Sequence, residues 1–174
     1  MRVPIVDEHD NEVVIKERKD LLSTDIYRVS ALWLLNDKND VLLTQRALTK
    51  KQHPGRWGCS VAGTVEEGET YQDNIRKETE EEIGLELEPE DLKVGPKMRI
   101  HGGYEHFCQF YFATTKKDIE DFVFPFDEVM DAKWMSIPDV IADVSERPDE
   151  YSVNLDECLI LNDVAKYAFP PALQ

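Results

Sequence analysis

The first third of the chain alternates short apolar runs with turn-forming residues. Residues 3–6 and 13–16 are two such runs, and the polar segment 7–11 between them predicts a β-hairpin. Residues 28–35 form a longer run that is apolar enough for a central strand, and the turn-forming segment 36–40 follows it. The pattern therefore predicts a hairpin and the start of a sheet before any helix.

The middle of the chain changes from strand-like to helical. Residues 70–83 contain neither glycine nor proline, and Gly84 stands where a glycine commonly ends a helix. Glu69 or Thr70 can begin this helix. The other predicted elements are strands over residues 41–45, 59–62, 93–100, 107–114 and 131–136, and helices over 138–144 and 155–167. Because strands and helices mix without strict βαβ alternation, we expect an α/β sandwich with a mixed sheet.

The composition is that of an ordinary globular protein, and 174 residues suit one domain. Asp and Glu number 36 against 20 Lys and Arg, which gives a formal net charge of -16. Because such a surface repels nucleic-acid backbones and anionic lipid, we expect no nucleic-acid partner and no membrane association. The first residues lack a basic segment followed by an apolar run, so a cytoplasmic location is expected.

Three glutamates of the predicted helix share one face. Glu78, Glu81 and Glu82 stand at positions i, i+3 and i+4, so their side chains project together. Carboxylates grouped in this way suit Mg²⁺, which takes a few carboxylates together with substrate phosphates. A solvated acidic helix face is the alternative, and the glutamates alone favour it, since such runs are common on surfaces.

The surrounding sequence carries a longer pattern, which reads GTVEEGETYQDNIRKETEEEIGL over residues 63–85. It resembles the signature of the Nudix hydrolases, the Nudix box: Gly, five residues, Glu, seven residues, Arg-Glu, an apolar residue, any residue, Glu-Glu, any residue, Gly and an apolar residue. The matching fixed positions are Gly63, Glu69, Glu78, Glu81, Glu82, Gly84 and Leu85. The resemblance implies a Nudix α/β/α sandwich with a mixed sheet and an N-terminal hairpin.

Two positions depart from this signature. Lys77 stands where the family has arginine, and Thr79 stands where it has an apolar residue. Lysine keeps the charge but lacks the planar, two-pronged donor set that can hold neighbouring glutamates in fixed geometry. The departures leave the expected fold intact and put the efficiency of catalysis in question.

The resemblance also implies an organisation and a cofactor. We expect one Nudix domain over residues 1–174, with a hairpin extension at 1–28, the box at 63–85 and a helical segment at 138–174. Mg²⁺ or Mn²⁺ would be held against a diphosphate by the glutamates of the box, and the carbonyl of Gly63 can add another ligand. The metal ligands implied are Gly63, Glu78, Glu81 and Glu82.

A carboxylate outside the box commonly binds the metal or acts as the base in this family. Glu128 is the residue we expect in that role, because it lies six positions before Trp134 in a loop that enters a strand. An ordinary exposed acid is an equally good interpretation of Glu128. The catalytic residues expected are Glu78, Glu82 and Glu128.

A second resemblance lies outside the box. Residues 42–57, LLTQRALTKKQHPGRW, look like isopentenyl-diphosphate isomerase and the hydrolases related to it. In the isomerase the corresponding Arg and Lys hold the substrate diphosphate, which maps onto Arg46 and Lys50 here. An anionic substrate near so acidic a chain needs local cations, so these two residues and Lys77 are expected to bind substrate. Solvated basic side chains are the alternative.

The residues that the isomerase needs for its own chemistry are replaced. The alignment places Ala62 at the catalytic cysteine and Phe107 at the downstream catalytic glutamate, with Tyr27 and Thr64 at positions of histidine ligands. Because alanine cannot transfer a proton, we do not expect allylic isomerisation.

The leading interpretation is therefore a metal-dependent pyrophosphohydrolase. Its substrate would be a small-molecule diphosphate: a nucleoside diphosphate derivative or a nucleoside di- or triphosphate. An isomerase-like enzyme and a non-catalytic, nucleotide-binding Nudix module are the alternatives. A homodimer is the default expectation for the assembly.

Overall fold

The computed structural model describes residues 1–102 and 105–164 of the chain. The strands are β1 (Arg2–Val6), β2 (Glu12–Glu17), β3 (Tyr27–Leu35), β4 (Asp40–Arg46), β5 (Trp57–Gly58), β6 (Val61–Thr64), β7 (Lys93–Ile100), β8 (His106–Thr114) and β9 (Val129–Ser136). The α-helices are α1 (Tyr71–Ile83), α2 (Ile137–Glu146) and α3 (Leu155–Leu159). Within the described ranges, no helix has both the length and the apolar character needed to cross a bilayer.

Among the described residues, β1 and β2 form a two-stranded antiparallel sheet apart from the main sheet. The carboxylate of Asp7 holds its turn by accepting hydrogen bonds from the backbone N–H of His9 (2.8 Å) and Asn11 (3.0 Å). Asp10 follows at φ 65°, a left-handed conformation that a short polar residue tolerates. Its carboxylate accepts a hydrogen bond from Nε of Arg28 (2.7 Å) in β3. The predicted hairpin is therefore confirmed, and it is fastened to the main sheet.

The main sheet is mixed, as the sequence predicts. Its strand order is β5-β4-β3-β8-β7, with β6 pairing with β3 and β9 pairing with β4. β3 and β8 run parallel, with Ala31 opposite Phe110. The other pairs in this sheet are antiparallel. β3 is buried along most of its length, which fits its central place.

Each face of the sheet carries its own core, because successive side chains of a strand point to opposite faces. On one face, Trp33 packs in a cluster with Val140 of α2 and with residues of α3. On the other face, Leu34 packs in a cluster with Ile75 of α1. Helices cover both faces, so the predicted α/β/α sandwich is confirmed.

Local hydrogen bonds fix both ends of α1. Oγ1 of Thr70 accepts from the backbone N–H of Asp73 (3.1 Å), whose carboxylate accepts in return from the N–H of Thr70 (3.2 Å). Gly84 ends the helix at φ 65°. The buried hydroxyl of Thr79 donates to the carbonyl of Ile75 (2.6 Å). Threonine is therefore accommodated where the signature has an apolar residue.

The region before the box differs in detail from the prediction. The strand predicted over residues 59–62 begins at Val61, and the buried side chain of Ser60 just before it joins β3 to β4. Its hydroxyl accepts from the backbone N–H of Leu34 (2.8 Å) and donates to the carbonyl of Leu42 (2.7 Å). This side-chain bridge replaces part of the expected strand and aligns the start of β6.

The two late helices differ in how well they match the helices predicted from the sequence. α2 contains the helix predicted over residues 138–144. The helix predicted over 155–167 is shorter, because α3 tightens into a 3-10 helix over Ile160–Asp163. Residues 165–167 of that prediction lie outside the described residues.

Candidate active site

One cleft of about 1180 Å³ opens beside α1 and β6. All predicted site residues except Lys77 line it, namely Arg46, Lys50, Gly63, Glu78, Glu81, Glu82 and Glu128. They come from β4 and the loop after it, from β6, from α1 and from the segment before β9. The structure therefore brings together residues that are distant in sequence, while their individual roles stay predictions.

β6 and α1 approach each other closely at Gly63. A Cβ atom at this position would lie 2.6 Å from Oε1 of Glu78, and closer still to its Cγ and Cδ. Any larger residue would push the Glu78 side chain aside, whereas glycine lets the carboxylate lie against the strand. The first glycine of the signature therefore has a packing role in this chain.

Glu78 is largely shielded from water, with its side chain 14% exposed. Its carboxylate accepts from Nδ2 of Asn74 (3.3 Å), and Nζ of Lys77 lies 3.8 Å away. Burial raises the pKa of Glu78 to about 7, against the attraction of Lys77 and with added repulsion from Glu81. Glu81 itself is exposed at the edge of the cleft.

Glu82 follows one helical turn after Glu78 on the same face of α1. Burial raises the pKa of Glu82 to about 8, and the charges of Glu78 and Glu128 raise it further. Arg46 and Lys50 act in the opposite direction without cancelling the shift. The cleft thus holds two carboxyl groups whose charges are poorly solvated.

Cationic side chains lie beside Glu128. Nζ of Lys50 forms an ion pair with its carboxylate, and the backbone N–H of Ala47 donates to its carbonyl (3.0 Å). The pairing of β4 with β9 sets Arg46 opposite Val129, the residue after Glu128. The strand pairing therefore places Arg46 and Lys50, which are predicted to bind phosphate, next to the predicted base Glu128.

Lys77 does not line the cleft. Its ammonium group contacts the carboxylates of Glu66 (2.9 Å), Glu69 (2.6 Å) and Glu78 (3.8 Å). Burial opposes the charge, but hydrogen bonds to Glu69 and Glu66 outweigh it and raise the pKa of Lys77. Lysine therefore joins the loop glutamates to α1, and substrate binding by Lys77 stays an untested prediction.

Asn74 is a site residue that the sequence analysis missed. Its side-chain amide is buried and donates to the carbonyl of Thr64 (3.1 Å) and to the carboxylates of Glu69 (2.9 Å) and Glu78 (3.3 Å). Its oxygen accepts from the hydroxyl of Ser30 (2.5 Å). The sequence did offer one signal for Asn74, because a polar residue on the inner face of a helix needs buried hydrogen-bond partners. Asn74 joins β3, β6 and the glutamates of the box.

The sequence analysis also missed one wall of the cleft, which the N-terminal region forms. The lining residues of this segment are Glu17, Arg18, Lys19, Leu21, Leu22, Ser23 and Asp25. The sequence predicted only a hairpin extension there. No spacing from the box marks this segment, because it reaches the cleft through the docking of the hairpin rather than through a strand or helix of the box.

The model of the NUDIX domain family matches residues 26–155. The chain belongs to the Nudix family. This membership supports an enzyme that acts on phosphorus-containing anhydrides. The match begins just before β3 and leaves the N-terminal hairpin outside.

Curated relatives place the chain within a branch of that family. An isopentenyl-diphosphate Delta-isomerase from Shigella dysenteriae serotype 1 is 32% identical over 137 residues, covering 74% of this chain and 72% of the relative. The enzyme of the same name from Escherichia coli O139:H28 matches with the same identity and coverage. The chain is therefore an isomerase-like Nudix protein, as the sequence resemblance implies.

Several solved structures share the fold. DR0079 from Deinococcus radiodurans superposes with a TM-score of 0.74 at 22% identity, over 93% of this chain and 98% of that one. The MutT protein from Methanosarcina mazei Go1 gives 0.64 at 12% identity, over 81% and 94%. An Ap4A hydrolase from C. elegans gives 0.59 at 18%, over 80% and 95%. At these identities the likeness concerns the fold alone.

The catalytic positions of the isomerase hold other side chains. Ala62 lines the cleft at the position aligned with the catalytic cysteine. Cys59, the nearby thiol, is buried in the core, and burial raises its pKa. Phe107, aligned with the catalytic glutamate, lies 5.4 Å below the guanidinium of Arg99. Neither the methyl group of Ala62 nor the ring of Phe107 can exchange a proton with an alkene substrate.

Nudix hydrolases and isopentenyl-diphosphate isomerases generally use a divalent metal ion. Within residues 1–102 and 105–164, no three His, Cys, Asp or Glu side chains are already arranged to hold one. The donor set nevertheless fits a hard cation, which prefers carboxylate oxygens. Burial and the charge of Glu78 both raise the pKa of Glu82, and a divalent cation between the two carboxylates would offset their repulsion.

The raised pKa values predict how the stability of the metal-free protein depends on pH. Glu78 has a pKa of about 7 and Glu82 of about 8, both above the ordinary value of 4.5. Across this window the folded chain holds protons that the unfolded chain has released, so its stability falls as pH rises. Denaturant unfolding in EDTA at about pH 5, 6, 7 and 8 measures the effect.

Two variants on α1 separate this effect from general charge effects. Glu82→Gln should flatten the pH dependence of the unfolding free energy. Glu80→Gln removes an exposed glutamate from the same helix and should leave that dependence unchanged. A wild-type stability that does not fall between about pH 5 and pH 8 would contradict the raised pKa values.

The Gly63 contact predicts a split between folding and activity. Gly63→Ala should keep the fold, because the atoms nearest to the added Cβ all belong to the Glu78 side chain, namely its Cγ, Cδ and Oε1. It should displace that side chain and lower hydrolysis at least about tenfold. Gly68 is the matched control. It has φ 85° and open space around a Cβ, so Gly68→Ala should cost about 1–2 kcal/mol of stability and keep activity. Thermal unfolding and turnover distinguish the two, and equal activity loss would refute the contact.

Proposed function

We propose that this chain is a Mg²⁺- or Mn²⁺-dependent pyrophosphohydrolase. Its substrate would be a nucleoside diphosphate derivative or a nucleoside di- or triphosphate. The observation that carries the proposal is the placement of Glu78 and Glu82 in one cleft with Arg46 and Lys50. Such a cleft offers oxygen ligands to a metal and cations to the phosphates that the metal neutralises.

Each group has a role in this reaction. Glu78, Glu81 and Glu82, with the carbonyl of Gly63, would hold the cation, which on binding neutralises charge on phosphate oxygens and lowers the pKa of bound water. Arg46 and Lys50 would bind the phosphate oxygens from the other side of the cleft.

Hydrolysis is a displacement at phosphorus by water. The oxygen of water forms a bond to phosphorus, the bridging P–O bond breaks, and the leaving phosphate keeps that electron pair. The proton lost by water passes to a carboxylate of the cleft. Glu128 is our candidate for the base, because its carboxylate lies at the cleft beside Lys50.

Isomerisation of isopentenyl diphosphate is the second candidate, favoured by relatives of 32% identity. Ala62 argues against it, because a methyl group cannot donate a proton to the alkene. Incubation with isopentenyl diphosphate and Mg²⁺ should give no dimethylallyl product. Detection of that product would overturn the hydrolase proposal in favour of the isomerase.

A binding module without catalysis is the third candidate, and the departures at Lys77 and Thr79 favour it. Both residues are accommodated, Thr79 by a hydrogen bond to the carbonyl of Ile75 and Lys77 by its contacts with Glu66 and Glu69. We therefore favour the enzyme. A homodimer and a cytoplasmic location remain predictions from the sequence.

Removal of one carboxylate charge tests the proposal. Glu82→Gln should lower metal-dependent hydrolysis at least about 100-fold, because it removes a key electrostatic element of the site. Glu80→Gln, an exposed change on the same helix, should have little effect. The wild type is first screened for phosphate release over nucleotides, nucleotide sugars, dinucleotides and isoprenoid diphosphates, with Mg²⁺ and Mn²⁺.

Turnover and circular dichroism are then compared between the two variants. Unchanged turnover by a folded Glu82→Gln variant would contradict the assignment of the active site. Tight nucleotide binding by the wild type without any product would favour the binding module instead.

A further inference from the structure

Two buried polar side chains meet between α1 and the centre of β3. Ser30 and Asn74 are both fully buried, and the hydroxyl of Ser30 donates to Oδ1 of Asn74 (2.5 Å). Neither residue lines the cleft. A buried polar pair costs free energy unless all its groups find hydrogen-bond partners. The partners of the Asn74 amide nitrogen therefore indicate what the pair does.

Three oxygen atoms surround Nδ2 of Asn74. They are the carbonyl oxygen of Thr64 (3.1 Å), Oε2 of Glu69 (2.9 Å) and Oε1 of Glu78 (3.3 Å). A carbonyl oxygen and an ionised carboxylate can only accept hydrogen bonds, so the two hydrogens of the amide point toward them. The reverse orientation would set the amide oxygen against these acceptors. The surroundings of Asn74 thus fix which way its amide faces.

The hydrogen bond from Asn74 is the closest polar contact of the Glu78 carboxylate within the described part of the chain. Asn74 lies four residues before Glu78 on α1, so the two side chains are neighbours on one face of the helix. Nζ of Lys77 is 3.8 Å from the same carboxylate, which is too far for a hydrogen bond. The Glu78 side chain also packs against the backbone at Gly63. Asn74 and Gly63 together therefore fix where this carboxylate lies.

Glu69 holds the Asn74 amide from the side of the loop before α1. Its Oε2 accepts from Nδ2 of Asn74 and from the backbone N–H of Glu66 (3.0 Å). Its Oε1 accepts from Nζ of Lys77 (2.6 Å). Both oxygens of Glu69 thus have donors, and Glu69 is a fixed acceptor for Asn74. The amide is held by Glu69 on one side and by Ser30 of the sheet on the other.

We infer that Asn74 is a positioning residue: its amide holds the Glu78 carboxylate in place for a divalent cation, and the hydroxyl of Ser30 holds that amide. The inference rests on the proposed function for the presence of the cation. Groups that hydrogen-bond to a metal ligand commonly set its orientation and the affinity of the site for the ion. An amide suits this place because it donates a hydrogen bond without a positive charge that would repel the cation.

A purely structural role is the competing explanation, because Asn74 also joins α1 to β3 and β6. A structural tie affects the stability of the fold and leaves the metal affinity unchanged, whereas a positioning contact also affects the metal affinity. The two roles differ again at Ser30. If Ser30 acts through Asn74, the effects of substituting the two residues on metal affinity are not additive.

Binding of Mn²⁺ alone is measured by calorimetry and by the electron paramagnetic resonance signal of the free ion. We expect Asn74→Ala to weaken Mn²⁺ binding at least about tenfold, the usual effect of removing a partner of a metal ligand. Ser30→Ala keeps the donors of the amide but removes one of its contacts, so it should weaken binding by a smaller factor. The double variant should bind Mn²⁺ as Asn74→Ala does.

Thr44→Val is the matched control. The buried hydroxyl of Thr44 donates to the carbonyls of Cys59 (3.0 Å) and Ser60 (3.2 Å), and Thr44 does not line the cleft. Its loss leaves buried carbonyls without a donor, so it should lower the denaturant midpoint in EDTA. It should change Mn²⁺ affinity less than about twofold. A loss of Mn²⁺ affinity in Thr44→Val equal to that in Asn74→Ala overturns the inference.

Turnover with the substrate found by the screen gives a second measurement. Asn74→Ala should raise the Mn²⁺ concentration for half-maximal activity about tenfold, and kcat at saturating Mn²⁺ should fall by a smaller factor. Unchanged Mn²⁺ affinity in a folded Asn74→Ala variant overturns the inference. If that variant does not fold, Ser30→Ala decides, and unchanged affinity there overturns the inference as well. Fully additive losses in the double variant overturn the part given to Ser30.

The outcomes separate this inference from the proposed function. An active wild type whose folded Asn74→Ala variant binds Mn²⁺ normally keeps the hydrolase and rejects the positioning role. A wild type without activity whose Mn²⁺ binding depends on Asn74 rejects the hydrolase and keeps the positioning role. A wild type that binds no Mn²⁺ overturns the inference.

Discussion

The packing of Glu78 against the backbone at Gly63 is the contact on which the rest of the site depends. Because glycine has no Cβ, α1 can bring a carboxylate directly onto β6, where little water reaches it. Burial raises the pKa of Glu78, and burial of Glu82 together with the charge of Glu78 raises the pKa of Glu82. A glycine in the strand thus allows Glu78 to lie against β6, where it is shielded from water.

Buried carboxylates need hydrogen-bond donors or nearby cations to stabilise their charge, and this chain supplies them only in part. Asn74 donates to Glu69 and Glu78, and Lys77 brings a cation to the same pair. Glu82 has the more distant Arg46 as its compensation. Burial prevails over these contacts, since the pKa values of Glu78 and Glu82 still rise. A bound cation would stabilise the negative charges of Glu78 and Glu82. The packing that weakens the metal-free fold would therefore also favour metal binding.

Much of the fold could be predicted because its signals are local. Apolar runs marked the strands, and Thr70 and Gly84 bounded α1 to within a residue. The Nudix box located the carboxylates for the same reason, since a fixed spacing on one helix becomes one face. The N-terminal wall had no such signal. Arg18 reaches Thr64 only after the hairpin has docked through Asp10, a contact that no periodicity encodes.

The net charge of -16 poses no obstacle to an anionic substrate, because screening makes the local arrangement decisive. At physiological salt the field of an exposed charge decays over about 8 Å, so most of the acidic surface acts weakly on the cleft. Within the cleft, Arg46 and Lys50 supply local positive charge beside the carboxylates of Glu82 and Glu128. The acids of α1 favour a metal ion, and that ion together with Arg46 and Lys50 would favour phosphate. An acidic protein can therefore attract a polyanion wherever its carboxylates are buried together rather than spread over the surface.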